Sequence, residues 1–266
     1  MKEYMPFDTL RRFYDEYVDG YRGPDGVLPS MMQLKRTHTG FVVKNASLIA
    51  EGEKFDSLAR DVSLAAALLH DTGRYEQLKR FNTFKDSESV DHAVFSHDIV
   101  REKQWLQKAH MPESDAVLKA VLYHNRRDLP ADLDGVALTA SHTVRDADKL
   151  DIFRVLQQQI DDTDWRRDSR AFWNLAIDVP PNPAVVECIA NRQPVDYQNI
   201  KSLSDFVLIQ VGWMVSGLHY PTSRRICAER GHLEYRRRFL HELSDDPSID
   251  RLCDLAAVEL GKGCQT

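Results

Sequence analysis

Alternation of apolar and polar residues never lasts six positions in this 266-residue chain, while apolar residues at helical spacing recur from end to end. A half-buried strand needs a period of two and an amphipathic helix a period near 3.6, so the chain is expected to be all-α. Phe7, Leu10, Phe13, Tyr14, Tyr17 and Val18 share one face of a first helix, which the turn-rich GYRGPDG ends. Ser30 is expected to cap a second helix to about Gly52. Asp56 is expected to cap a third through SLARDVSLAAALLH, whose alanines and leucines suit a central, tightly packed position. Further helices are expected near 74–81, from Ser89 to about Ala109, from Asp115 to Tyr123 and from Val136 to Ile160. Beyond these, helices are expected near 163–176, 183–191, 203–217, 222–243 and 249–260.

Charge narrows the partners. With 35 Lys+Arg against 41 Asp+Glu the net charge is −6, which excludes a generally basic protein that binds nucleic-acid duplexes. Hydrophobic residues at 42% and charged residues at 29% are the mixture of a globular protein able to bury a large core. The opening MKEYMPFDTLRRFYDEYVDG turns acidic and amphipathic at once, unlike a secretory signal, so a cytoplasmic protein is expected. The apolar segment Phe206–Tyr220 includes Gln210 and His219 and is shorter than the roughly 20 residues that cross a bilayer, so it reads as a buried helix and no membrane partner is expected. Cys188, Cys227, Cys253 and Cys264 form no CxxC pair and are read as free thiols. The proline-rich VPPNP at 179–183 is the best internal boundary, yet the short helices after it suit a packed extension. One all-helical domain is expected, with a core over about 30–160 and an extension over 161–266.

Familiar nucleotide cradles and serine elbows are absent: there is no GxGxxG, GxxxxGK[ST] or GxSxG, and His241-Glu242 begins an HExxH that has Asp245 in place of its second histidine. Histidine remains. The pair His70-Asp71 lies where the Ala/Leu-rich run breaks at Gly73, and a carboxylate at the end of an apolar run needs a cation or a metal beside it. Around it stand RTHTG with His38, SVDHA with His92, VLYHN with His124 and DADKLD with Asp148. The gaps between His38, His70, His92, His124 and Asp148 are 32, 22, 32 and 24 residues, which puts them on different helical segments that only a packed bundle could bring together.

The order His, His-Asp, His, His, Asp over roughly 35–155 resembles the HD-domain superfamily of metal-dependent phosphohydrolases. The resemblance implies an all-α HD-domain helical bundle, here with additional C-terminal helices. It implies that His38, His70, Asp71 and Asp148 bind one metal, that Asp71 bridges to a second, and that His92 and His124 match the histidines of the two-metal branch. Two divalent transition metals per chain are therefore expected. Imidazole and carboxylate ligands without thiolate suit Mn, Fe, Co, Ni or Zn.

The chemistry implied is hydrolysis of a phosphate mono- or diester of a nucleotide or similar small molecule by a metal-activated water. Asp71 would position that water. Arg145, Lys149 and Arg74 are candidates for phosphate contacts, each against the alternative of an ordinary ion pair, such as Arg74 with Glu76 or Asp71. A di-iron oxygenase with the same ligand set, or a metal-retaining regulatory module, are the competing readings. Thr72 stands where many relatives carry an aliphatic residue. His97 is expected to point away from His92, and His142 to be peripheral. WRRDSR at 165–170 and Arg236–Arg238 are expected to be solvated helix faces, and Trp105, Trp165, Trp173 and Trp213 to be core. Homo-oligomerisation is compatible with a helical chain of this size.

Overall fold

The computed structural model describes residues 6–167, 172 and 175–264. Among these residues helices dominate and no strand forms; an isolated bridge joins Ala176 to Ser202. The chain divides into two compact units, Met1–Asp148 and Lys149–Thr266, so the division falls inside a helix and not at the prolines of 179–183. No described helix is long and apolar enough to cross a membrane.

The first unit contains α1 (Pro6–Asp19), α2 (Ser30–Gly52), α3 (Ser57–Leu69), α4 (Gly73–Phe81), α5 (His92–Lys103), α6 (Trp105–Lys108), α7 (Ser114–Tyr123) and the start of α8 (Gly135–Asp162). Its centre is α3, buried from Val62 to Leu69 and packed on α1, α2 and α7. Ala65, Ala66 and Ala67 leave room for three neighbouring helices. Val62, Leu64, Leu68 and Leu69 each contribute about 1.5–3 kcal/mol through burial. Asp56 caps this helix by accepting from the Ala59 N–H at 2.8 Å, as the sequence led us to expect.

Several helix ends differ from expectation. Pro29 and not Ser30 precedes α2, without a side-chain cap. Asp115 lies inside the first turn of α7, which Glu113 precedes with φ +48°. The helix expected over 89–109 is two, because Gln104 takes a left-handed conformation (φ +55°) between α5 and α6. The segment expected to be helical over 163–176 is a turn over 165–167, and 168–171 and 173–174, including Trp173, lie outside the described residues.

The second unit contains the rest of α8 with α9 (Pro183–Ala190), α10 (Leu203–Gly212), α11 (Pro221–Glu229), α12 (His232–Leu243) and α13 (Ser248–Gly261). The helix expected over 203–217 ends as α10 at Gly212 and widens into a π-helical turn, Trp213–Gly217, with Trp213 against Phe153 at 6.1 Å. The helix expected over 222–243 is broken at Gly231, whose φ of +65° ends α11 in the left-handed region that a glycine enters without a Cβ clash.

Arg236 is a correction of another kind. Expected on a solvated face, it is 1% exposed, donating to Gln210 Oε1 and to the carbonyls of His232 and Phe153 and lying over the Phe153 ring. Only Arg237 and Arg238 of that run reach the surface side. A charged triplet on a helix spans most of a turn, so one member can face inward. The cysteines are free, with Cys227 and Cys253 buried.

Candidate metal centre

All six expected ligands belong to the first unit. His38 sits within α2 and Asp148 within α8, and Asn45, two turns along α2 from His38, donates to the Ala147 carbonyl at 3.0 Å, tying the two helices together beside Asp148. His70 and Asp71 lie immediately after α3, His124 immediately after α7, and His92 is the first residue of α5. The break at Gly73 is a packing requirement: a Cβ there would stand 2.7 Å from the Ser96 nitrogen and 3.0 Å from the His92 carbonyl oxygen. The Gly73 N–H donates to Ser96 Oγ at 2.8 Å across the same contact, so the start of α5, and His92 with it, is drawn against the His-Asp turn.

These positions produce two half-sites that share one carboxylate. In the first, His38 Nε2 lies 3.1 Å from Asp148 Oδ1, 3.4 Å from His70 Nε2 and 3.7 Å from Asp71 Oδ2, and His70 Nε2 lies 3.6 Å from the same Asp71 oxygen. In the second, His92 Nε2 and His124 Nε2 are 3.0 Å apart, at 3.6 and 3.9 Å from Asp71 Oδ1. Asp71 thus turns one oxygen to each half-site.

The tautomers of the donor set suit a cation. His70 Nδ1 donates to the Ala67 carbonyl, His124 Nδ1 to the Val121 carbonyl, and His92 Nδ1 to the Asp86 carboxylate. A carbonyl or carboxylate can only accept, so each neutral ring keeps its proton on Nδ1 and presents a bare Nε2 to the centre. The Nε2 atoms of His92 and His124 stand 3.0 Å apart. Two donors about 2.1 Å from a shared ion and at right angles to each other are separated by about 3.0 Å.

Protonation is suited as well. Burial would push the Asp71 carboxyl up, but Lys35, His70, Arg74 and His92 together carry it well below the usual carboxylate range. Burial opposes ionisation of Asp148 too, and His38 and His70 overcome it, so this carboxyl also lies low. Burial pushes the His70 imidazole down despite Asp71 and Asp148. The same effect, with His92 and His70 nearby, takes His124 down to about 3. The carboxylates are therefore ionised, and these two imidazoles neutral, near pH 7, the states in which such groups bind metal.

The other expected residues take different places. Arg74 donates to Asp86 at 2.9 Å, to Gln77 and to the Phe84 carbonyl, and its Nε lies 3.5 Å from Asp71 Oδ1; its pairing is with carboxylates of the centre and not with Glu76. Arg145 donates to the carbonyls of Arg126 and Arg127. Lys149 follows Asp148 along α8 as the first residue of the second unit, and its Cε would lie 3.6 Å from a Cβ at Gly217 of that unit. His97 pairs with Asp98 outside the cluster, and Thr72 is fully buried.

Two further residues join the centre. Lys35 donates to Asp71 Oδ2 at 2.7 Å from a partly open position, its side chain 19% exposed. Its signal was available, because it lies three residues before His38 and so on the same side of α2. Asp86, the second, sits in the loop after α4 and reaches His92 through tertiary geometry that no spacing announces.

Residues 36–154 match the HD domain in a comparison with known families. No curated protein and no solved structure matches the chain. The matched segment holds all six expected ligands, and HD domains bind divalent metals and are generally metal-dependent phosphohydrolases. The chain is thus similar to the HD domain over residues 36–154, the segment in which all six expected ligands lie.

Proposed function

We propose that this protein is a two-metal phosphohydrolase acting on a phosphate mono- or diester of a nucleotide or similar small molecule. The observation that carries this reading is Asp71, whose oxygens face two separate sets of bare donors. His38, His70, Asp148 and one Asp71 oxygen would hold one ion; His92, His124 and the other oxygen would hold the second. Divalent metals bound there supply a water of lowered pKa, from 15.7 towards about 7, and charge stabilisation for the phosphoryl oxygens.

The chain's own groups do the rest. Asp71 fixes the spacing of the half-sites, because the turn that carries it is packed against α5 through Gly73. Lys35 and Arg74 keep that carboxylate ionised. Arg74 and Arg145 already donate to groups of the protein, so we assign them to positioning. The phosphate contact falls to Lys35, on the open side of the centre. A lysine can swing from a carboxylate to a phosphoryl oxygen as a mobile point charge, which a guanidinium held by several acceptors cannot do as readily.

The test is p-nitrophenol release from p-nitrophenyl and bis-p-nitrophenyl phosphate by the Mn(II)-loaded protein without oxygen. Release that is lost in Asp71→Ala supports the proposal. Oxygen uptake without release, across phosphorylated and unphosphorylated candidates, would instead establish an oxygenase.

A further inference from the structure

The half-sites are held by different means. In the first, His38 and Asp148 stand inside long helices and His70 is locked by the Ala67 carbonyl of its own helix. In the second, His124 is likewise locked by the Val121 carbonyl, but His92 opens its helix and its Nδ1 is held by a side chain from a loop. That side chain is Asp86. It accepts from the His92 ring through Oδ2, and its Oδ1 takes Arg74 at 2.9 Å and Gln77 at 3.0 Å.

Gln77 is fully buried on α4 and closes the arrangement: its amide also donates to Ser89 Oγ at 2.9 Å and the Val90 carbonyl at 3.1 Å, while Arg74 binds the Phe84 carbonyl at 2.7 Å. The loop over 82–91 is therefore fastened along its length to two side chains of α4, and its one carboxylate directed at the centre ends on His92. Arg74 meets Asp86 and the bridging Asp71 together.

We propose that Asp86 is the positioning residue of the second half-site, and that occupancy of the His92/His124 position depends on the 82–91 loop while the first half-site does not. Asp86 touches no ion or substrate in this assignment; it acts through the tautomer and ring orientation of His92. The inference rests on the two-metal reading. It predicts stepwise loading, with the position built from His38, His70 and Asp148 filling first.

Two readouts test it. In the metal-free wild-type chain, two-bond proton–nitrogen NMR is expected to find the His92 proton on Nδ1. Titration of the Asp86→Asn chain with Mn(II), with bound metal counted by elemental analysis, is expected to show one tight site as in wild type and a second weakened about 10- to 100-fold. Asp86→Glu, which restores the charge with an altered reach, is expected to recover part of that loss. Two ions bound as tightly in Asp86→Asn as in wild type would overturn the inference and leave the two-metal reading intact. A wild-type chain that takes up only one ion would remove the two-metal reading itself. Should Asp86→Asn not fold, the wild-type tautomer decides: a proton on Nε2 overturns the assignment.

Discussion

Replacing Gly73 by alanine separates packing from helix propensity, because the two predict opposite signs. Gly73 opens α4, and a helical Gly→Ala change on an exposed face stabilises by up to about 1 kcal/mol, less at a first position. Here the added Cβ would meet the Ser96 nitrogen at 2.7 Å and the His92 carbonyl oxygen at 3.0 Å. Both are backbone atoms of α5 and neither can rotate aside, so the helix itself has to shift. Overpacking of this kind costs about 1–3 kcal/mol. Setting that gain against it leaves a net loss of up to about 3 kcal/mol, with a middle value of about 1.5 kcal/mol or roughly 3–6 °C in Tm for a chain of this size. The displaced atoms belong to the start of α5, so His92 moves with them and the second metal should bind more weakly while the first is retained. Thermal unfolding of the metal-free variant, followed by metal titration, checks both parts. A Gly73→Ala chain at least as stable as wild type, binding two ions equally well, would refute the claim that a close approach of helices builds the site.

Further outcomes follow from the same geometry. Asp71→Ala is expected to abolish binding of both metals and His124→Ala chiefly of one, read by elemental analysis of the purified chains. Because the folded-state His124 lies near 3 against an ordinary 6.5, the unfolded chain binds more protons between those values. Metal-free stability should therefore rise with pH from about 3 to 6.5, and His124→Gln should flatten that slope in urea titrations at several pH values. Asp71 and Asp148, held below 3.8, add stability that is present above that value and fades below it. Lys35→Gln should lower kcat/KM for phosphoesters at least tenfold when assayed at saturating Mn(II). Arg236→Ala removes a buried guanidinium with its hydrogen bonds to Gln210 Oε1 and to two helix carbonyls, and should cost about 3 kcal/mol in denaturant unfolding.

The all-α class and the six clustered His and Asp residues were legible because each rests on a local signal. Helical periodicity reports burial along one face, and the ordered set His38, His70-Asp71, His92, His124, Asp148 is recognisable without coordinates. What escaped depends on partners distant in the chain. Arg236 looked solvated because its acceptors come from α8 and α10 as well as its own helix. Asp86 is one acidic residue in a polar loop until the fold sets it beside His92. Helix breaks at Gln104 and Gly231 were missed because a single left-handed residue interrupts the backbone without disturbing the apolar pattern on either side. Gly73 was read as a helix end, whereas its lack of a side chain is what allows the close contact with α5.

The central claim is that Asp71 joins two cation positions. Elemental analysis of the full chain, prepared without a metal-binding tag and reconstituted with Mn(II), tests it most directly. The account predicts about two ions per chain in wild type and none in Asp71→Ala. One ion per wild-type chain, or metal retained by Asp71→Ala at the wild-type level, would contradict it.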